Sequence, residues 1–67
     1  MWLIDYVSPQ RQTVFLSNPA TGMLRQISVP GALVATIENG KVLIQTSTGW
    51  TWEVEPETGA RRRFFAA

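Results

Sequence analysis

Asn39-Gly40 lies between two apolar-rich runs and constrains this chain more than any other pair of residues. Asn-Gly is the strongest short-range signal for a two-residue type I′ turn, whose central residues both need positive φ. Asn tolerates that region and Gly enters it without steric cost. The turn sets a hairpin over Ala32 to Gln45, in which Glu38 faces Lys41, Ile37 faces Val42, Thr36 faces Leu43 and Ala35 faces Ile44. Leu33, Ala35, Ile37, Val42 and Ile44 then share one face. Glu38, Lys41, Thr36, Leu43, Val34 and Gln45 share the other. A slip of one residue would exchange the two faces, so the register is well specified.

The hairpin passes its register to a third strand. Ser47-Thr48-Gly49 fits a three-residue loop closed by a left-handed Gly bulge. That loop pairs Thr46 with Trp50, Ile44 with Trp52 and Val42 with Val54. Trp50, Trp52 and Val54 extend the apolar face, while Thr51, Glu53 and Glu55 are expected to look to water. Cross-strand aromatic and β-branched neighbours of this kind contribute roughly 0.2–1 kcal/mol per pair.

The remaining segments are short and punctuated. Met1 to Val7 reads as a strand, with Asp5 inside it and no basic leader, which is the wrong pattern for a signal-peptide core. Ser8 to Gln12 is a polar turn, Thr13 to Ser17 a strand, Asn18-Pro19-Ala20-Thr21-Gly22 a turn and Met23 to Val29 a third strand. Pro30-Gly31 ends it. After the central meander, Glu55-Pro56-Glu57-Thr58-Gly59 is another turn, and Ala60 to Phe65 a last, edge-like strand whose charges blunt an exposed edge.

No window carries a 3.6-residue apolar period, and Pro or Gly interrupts every candidate helix. The expectation is an all-β chain: one small antiparallel domain over residues 1–67, built of about six to seven short strands without significant helix. A barrel and a meander or sandwich both fit that pattern. No apolar run approaches about 18 residues, so no membrane span is expected, and the cytoplasm is the expected compartment.

Two turns share a frame. Asn18-Pro19-Ala20-Thr21-Gly22 and Glu55-Pro56-Glu57-Thr58-Gly59 have Pro, Thr and Gly at matching positions, and Arg25 aligns with Arg62. Two hairpins needing similar turns account for this, with a duplicated unit as the alternative. Lys41-Val42-Leu43-Ile44, Gly49-Trp50-Thr51-Trp52 and Glu55 to Gly59 follow one another in an order that resembles one repeat of the quinoprotein-type propeller blade. The likeness covers under a third of the chain, and a propeller needs at least four blades. It implies a local strand-turn-strand arrangement and brings no cofactor or function with it.

The residue inventory narrows the chemistry. The chain has 67 residues, no Cys and no His. General acid–base and nucleophilic catalysis usually recruit His, Cys or a pocketed Lys, and Lys41 is the only lysine. Glu53 and Glu55 would lie about 7 Å apart on one strand face, as any two polar positions on a wet face do. Catalytic, cofactor and metal residues are therefore expected to be absent, and the chain is not expected to be an enzyme. A net charge of +1 points to no particular polyanion.

Two features suit binding. A chain this short buries only about 60% of its unfolded surface, and three Trp, three Phe and one Tyr exceed what so small a core hides. Trp2, Tyr6, Phe15, Phe64 and Phe65 are the candidate apolar contacts with a second copy or a protein partner. The other feature is Arg61-Arg62-Arg63 before Phe64-Phe65. A five-residue loop at Glu55 to Gly59 would pair Arg61 with Glu53 and Arg63 with Thr51, setting Arg62 against Trp52 and Phe64 against Trp50. An exposed Arg61–Glu53 pair would contribute roughly 0–1 kcal/mol. Alternatively Arg11, Arg25, Arg61, Arg62 and Arg63 neutralise phosphates while an aromatic stacks a base. The leading expectation is a self-associating or protein-binding module, with nucleic-acid binding the alternative.

Overall fold

The computed structural model describes residues 1–65. The single domain was expected to run to Ala67, whose last two positions lie outside the described residues. Seven strands follow one another: β1 Leu3–Ser8, β2 Thr13–Asn18, β3 Met23–Ser28, β4 Ala32–Glu38, β5 Lys41–Thr46, β6 Trp50–Val54 and β7 Arg61–Phe65. There is no helix among the described residues, hence none long and apolar enough to cross a membrane. The chain is all-β.

The strands form two antiparallel meanders, β1-β2-β3 and β4-β5-β6-β7. They pack face to face through Val14, Leu16, Ile27 and Val29 on one side and Ala32, Val42, Ile44 and Val54 on the other. The shortest dimension, 15 Å, suits two layers about 10 Å apart. The two sheets meet where β1 runs beside β4. β3 and β7, at the opposite sides, do not pair. The result is an open sandwich, not a closed barrel.

The Asn39-Gly40 turn forms with φ of 52° and 76°. Every β4–β5 pair expected from it is present, from Glu38↔Lys41 to Ala35↔Ile44 and on to Val34↔Gln45. The β5–β6 pairs Val42↔Val54 and Ile44↔Trp52 follow. Val42, Ile44 and Val54 are sealed from solvent, and Trp52 packs against them half-buried. Turn chemistry and face alternation specify this half of the fold together.

Three expectations of facing and register fail. A bulge between Ala32 and Val34 makes Leu33 the extra residue. Leu33 therefore turns outward at 49% exposure, and Ala32 takes the core position. Thr51 does not look to water but is buried, because Phe64 pairs with it on the outer face. The β6–β7 register is one residue off the expected one: Trp50↔Phe65, Thr51↔Phe64, Trp52↔Arg63, Glu53↔Arg62 and Val54↔Arg61. The loop closes at Ala60, whose carbonyl accepts the Glu55 N–H at 2.8 Å.

The two Pro-x-Thr-Gly turns fold alike. The Gly22 N–H donates to the Asn18 carbonyl and the Gly59 N–H to the Glu55 carbonyl, both at 2.7 Å. Thr21 and Thr58 hydroxyls accept the N–H two residues on, at 3.3 and 3.2 Å. Thr48 makes the same bond to the Trp50 N–H at 3.4 Å in a loop of different length. The shared chemistry is thus a property of Thr-Gly turns, and the second turn differs in what covers it. Pro56 is fully buried while Pro19 is exposed.

Gly31 joins the sheets. Its N–H donates to the Gln12 side-chain carbonyl at 2.8 Å, and its carbonyl accepts the Ser47 N–H at 2.9 Å. The Val29 N–H bonds the Gln12 backbone carbonyl at 2.9 Å. With φ at 73° and Ser47 Oγ only 2.8 Å from where a Cβ would stand, no other residue fits there without movement.

Candidate functional site

A second bulge decides what the first sheet shows to solvent. The β1–β2 register shifts between Ile4 and Tyr6, leaving Asp5 as the extra residue, its carboxylate accepting from Ser17 Oγ at 2.9 Å. Strict alternation would put Ile4 and Tyr6 on one face. The bulge separates them, so Ile4 packs on the core and Tyr6 turns outward at 56% exposure. Tyr6 pairs with Phe15, and their rings stack with centroids 4.4 Å apart at 16°.

Leu3 and Leu24 lie on the same outer face, both paired with Ser17. They are 44% and 79% exposed. The face opposite the core therefore carries Leu3, Tyr6, Phe15 and Leu24, with Ser17 between the two leucines and bonded to the Asp5 carboxylate. Leu3 and Leu24 were not singled out from sequence, although Leu24 alternates out of phase with the core residues Ile27 and Val29.

Trp2 does not belong to that surface. It is 8% exposed and part of the core, with its indole N–H donating to Glu57 Oε1 at 2.9 Å. Phe64 and Phe65 are exposed on β7, at 43% and 63%, but on opposite faces of it. Phe64 lies beside Val34, Thr36, Leu43 and Thr51 around a shallow outer cavity of about 240 Å³. Phe65 rests on Trp50, ring centroids 4.0 Å apart.

The arginines are mostly occupied within the fold. Arg62 Nε donates to Glu53 Oε1 at 2.8 Å, which Lys41 also approaches at 4.0 Å. These residues, with Glu55 and Arg61, line an open cleft of about 420 Å³. Arg61 Nη1 donates to the Ser28 carbonyl at 2.9 Å, and Arg25 Nη2 to the Glu57 carbonyl at 3.1 Å. Arg25 Nε is buried without a partner among the described residues. Arg63, not Arg62, stacks on tryptophan, 4.3 Å from the Trp50 centroid and 5.7 Å from that of Trp52. Arg11 is exposed in the β1–β2 turn. The register shift moves each expected role along by one residue: Arg62 takes the Glu53 ion pair expected of Arg61, and Arg63 takes the indole contact expected of Arg62.

No protein-family model, curated protein or solved structure matches this chain.

Proposed function

We propose that this chain is a small, non-enzymatic β-sandwich module that associates with itself, or with a protein partner, through exposed apolar surface. The observation that carries this reading is the stacked Tyr6–Phe15 pair on the outer face of the first sheet, flanked by exposed Leu3 and Leu24. Stacked aromatics hold a rigid, preorganised shape, so little entropy is lost when a partner covers them. Large apolar side chains exposed together on one face of a small protein mark an interaction surface more often than they serve the isolated fold. The small core adds a reason, since association is a staple open to a chain with no cysteine for a disulfide and neither Cys nor His to ligate zinc.

A second reading, a module binding nucleic acid through Arg11, Arg25, Arg61, Arg62 and Arg63, has one observation in its favour. All of β7 is exposed, with Arg63 beside two indoles. Against it, Arg62 is neutralised by Glu53 and Arg25 donates to the Glu57 carbonyl.

Light scattering over a range of concentrations, at low and high salt, separates the two. Apolar association persists or tightens in sulfate and survives replacement of Arg61, Arg62 and Arg63 by Gln. A monomer at every concentration that binds a single-stranded oligonucleotide at low salt, and loses it in that variant, supports the second reading instead. Phosphate contacts would then give log K against log salt a slope of roughly −0.7 to −0.9 each.

A further inference from the structure

Strand β7 pairs with β6 on one side and, among the described residues, with no strand on the other, so one row of its backbone N–H and C=O groups is open to a partner. All five of its residues are exposed. Along it, Arg61, Arg63 and Phe65 point to one face and Arg62 and Phe64 to the other. Ion pairs among the described residues run from Lys41 and Arg62 to Glu53. Arg61 and Arg63 thus have no carboxylate partner there: the first bonds a carbonyl, the second sits over the Trp50 ring, its guanidinium carbon 4.3 Å from the centroid. A guanidinium beside an aromatic ring keeps its charge and has N–H donors left to offer a carboxylate.

We propose that the open edge of β7 accepts an extended acidic segment of another protein as an added antiparallel strand. Arg61 and Arg63 stand two residues apart, about 7 Å at strand rise. That is the spacing of alternate side chains on any strand laid beside them. The segment that fits carries carboxylates opposite Arg61 and Arg63 and an apolar residue opposite Phe65. From its N-terminus it reads apolar, any, acidic, any, acidic. Main-chain pairing supplies affinity and the alternate side chains supply choice. The surface is separate from the Tyr6–Phe15 face, so it stands or falls independently of self-association there.

Charge excludes two other occupants. A second copy paired antiparallel over the whole strand would set Arg63 opposite Arg63, and like charges directly opposed are unfavourable. A nucleic-acid backbone following the arginines would meet Glu53 and Glu55, which line the cleft next to Arg61 and Arg62. An acidic strand needs only Arg61 and Arg63, whose face carries no carboxylate from β6 or β7.

A fluorescein-labelled nine-residue peptide of phenylalanine followed by alternating threonine and glutamate is the probe, titrated by anisotropy at low salt. Its glutamine counterpart and an N-methylated version of unchanged charge are the comparisons. Saturable binding of the glutamate peptide alone is expected, weakened about tenfold or more by Arg61→Gln with Arg63→Gln. Arg63→Lys, which keeps the charge, recovers part of the loss, and circular dichroism verifies that each variant is folded. Equal binding of the N-methylated peptide would reduce the edge to a charge patch and overturn the proposal. So would preference for a single-stranded oligonucleotide, or no binding by the folded wild type.

Discussion

The indole N–H of Trp2 donates to the Glu57 carboxylate at 2.9 Å, joining positions 55 residues apart in the chain. Trp2 precedes the first strand, and Glu57 sits in the last turn before β7. Arg25 holds the same turn from the other sheet, through the Glu57 carbonyl at 3.1 Å. Together they fasten the β6–β7 turn to the first sheet and bury Pro56 beneath it. This contact places the turn, and with it β7.

Trp2→Ala is expected to cost about 3–5 kcal/mol, the range for removing a large buried aromatic. Trp2→Phe keeps most of the packing and loses the hydrogen bond, about 1 kcal/mol with Glu57 exposed. Denaturant midpoints measure both. Equal losses for the two variants would mean that the hydrogen bond, not ring burial, dominates.

The turn glycines separate two physical causes. A Cβ at Gly40 meets nothing within 4 Å, whereas at Gly31 it stands 2.8 Å from Ser47 Oγ. Gly40→Ala therefore carries the left-handed backbone penalty alone, about 1–2 kcal/mol. Gly31→Ala carries that penalty plus displacement of Ser47, and its midpoint should fall well below that of Gly40→Ala. Similar midpoints would show that the β5–β6 loop gives way freely. Gly40→Val adds a β-branch in the same region and should cost more than Gly40→Ala.

Leu33 tests the bulge. Leu33→Ser is expected to change stability by less than about 0.5 kcal/mol, the ordinary range for a surface change. Without the bulge Leu33 would be a core residue, and its truncation to a small side chain would cost about 2–5 kcal/mol. Thermal melts of this one variant distinguish the two.

Phe65 and Trp50 form the outermost aromatic contact, their centroids 4.0 Å apart. A double-mutant cycle with Trp50→Leu and Phe65→Leu should return a coupling of about 0.5–1.5 kcal/mol. The cycle also tests the β6–β7 register, since the one-residue alternative pairs Trp50 with Phe64. A coupling for Trp50 with Phe64 and none with Phe65 would restore that alternative.

The contrast between Val42 and Leu33 shows how far the sequence is legible. Asn39-Gly40 acts locally, and every pair near it follows from counting outward along alternating faces. The count fails at Leu33, because a bulge inserts one residue without a turn signal and exchanges the faces beyond it; the bulge at Asp5 is equally silent in the sequence. At β7 it fails for a different reason. A loop of five residues and the observed loop over 55–60 suit the same Pro-Glu-Thr-Gly residues, and the choice rests on contacts from Trp2 and Arg25, far away in the chain. Trp2 reads from sequence as a surplus aromatic; in the fold it joins the core and bonds Glu57, 55 residues away in the chain. Gln12 carried no signal at all, yet its φ of 53° and its bonds to Val29 and Gly31 hold the linker between the sheets.

Self-association through the outer face of β1–β3 is the central claim, and sedimentation equilibrium of the wild type beside a Leu24→Glu variant tests it most directly. Leu24 is 79% exposed and pairs with Ser17 on the outer face, so the variant is expected to melt with the wild type. A wild type heavier than the monomer at high protein concentration, more so in sulfate, with the folded variant monomeric throughout, is the predicted result. A wild type that stays monomeric in every condition, or a variant that associates as strongly as the wild type, would contradict it.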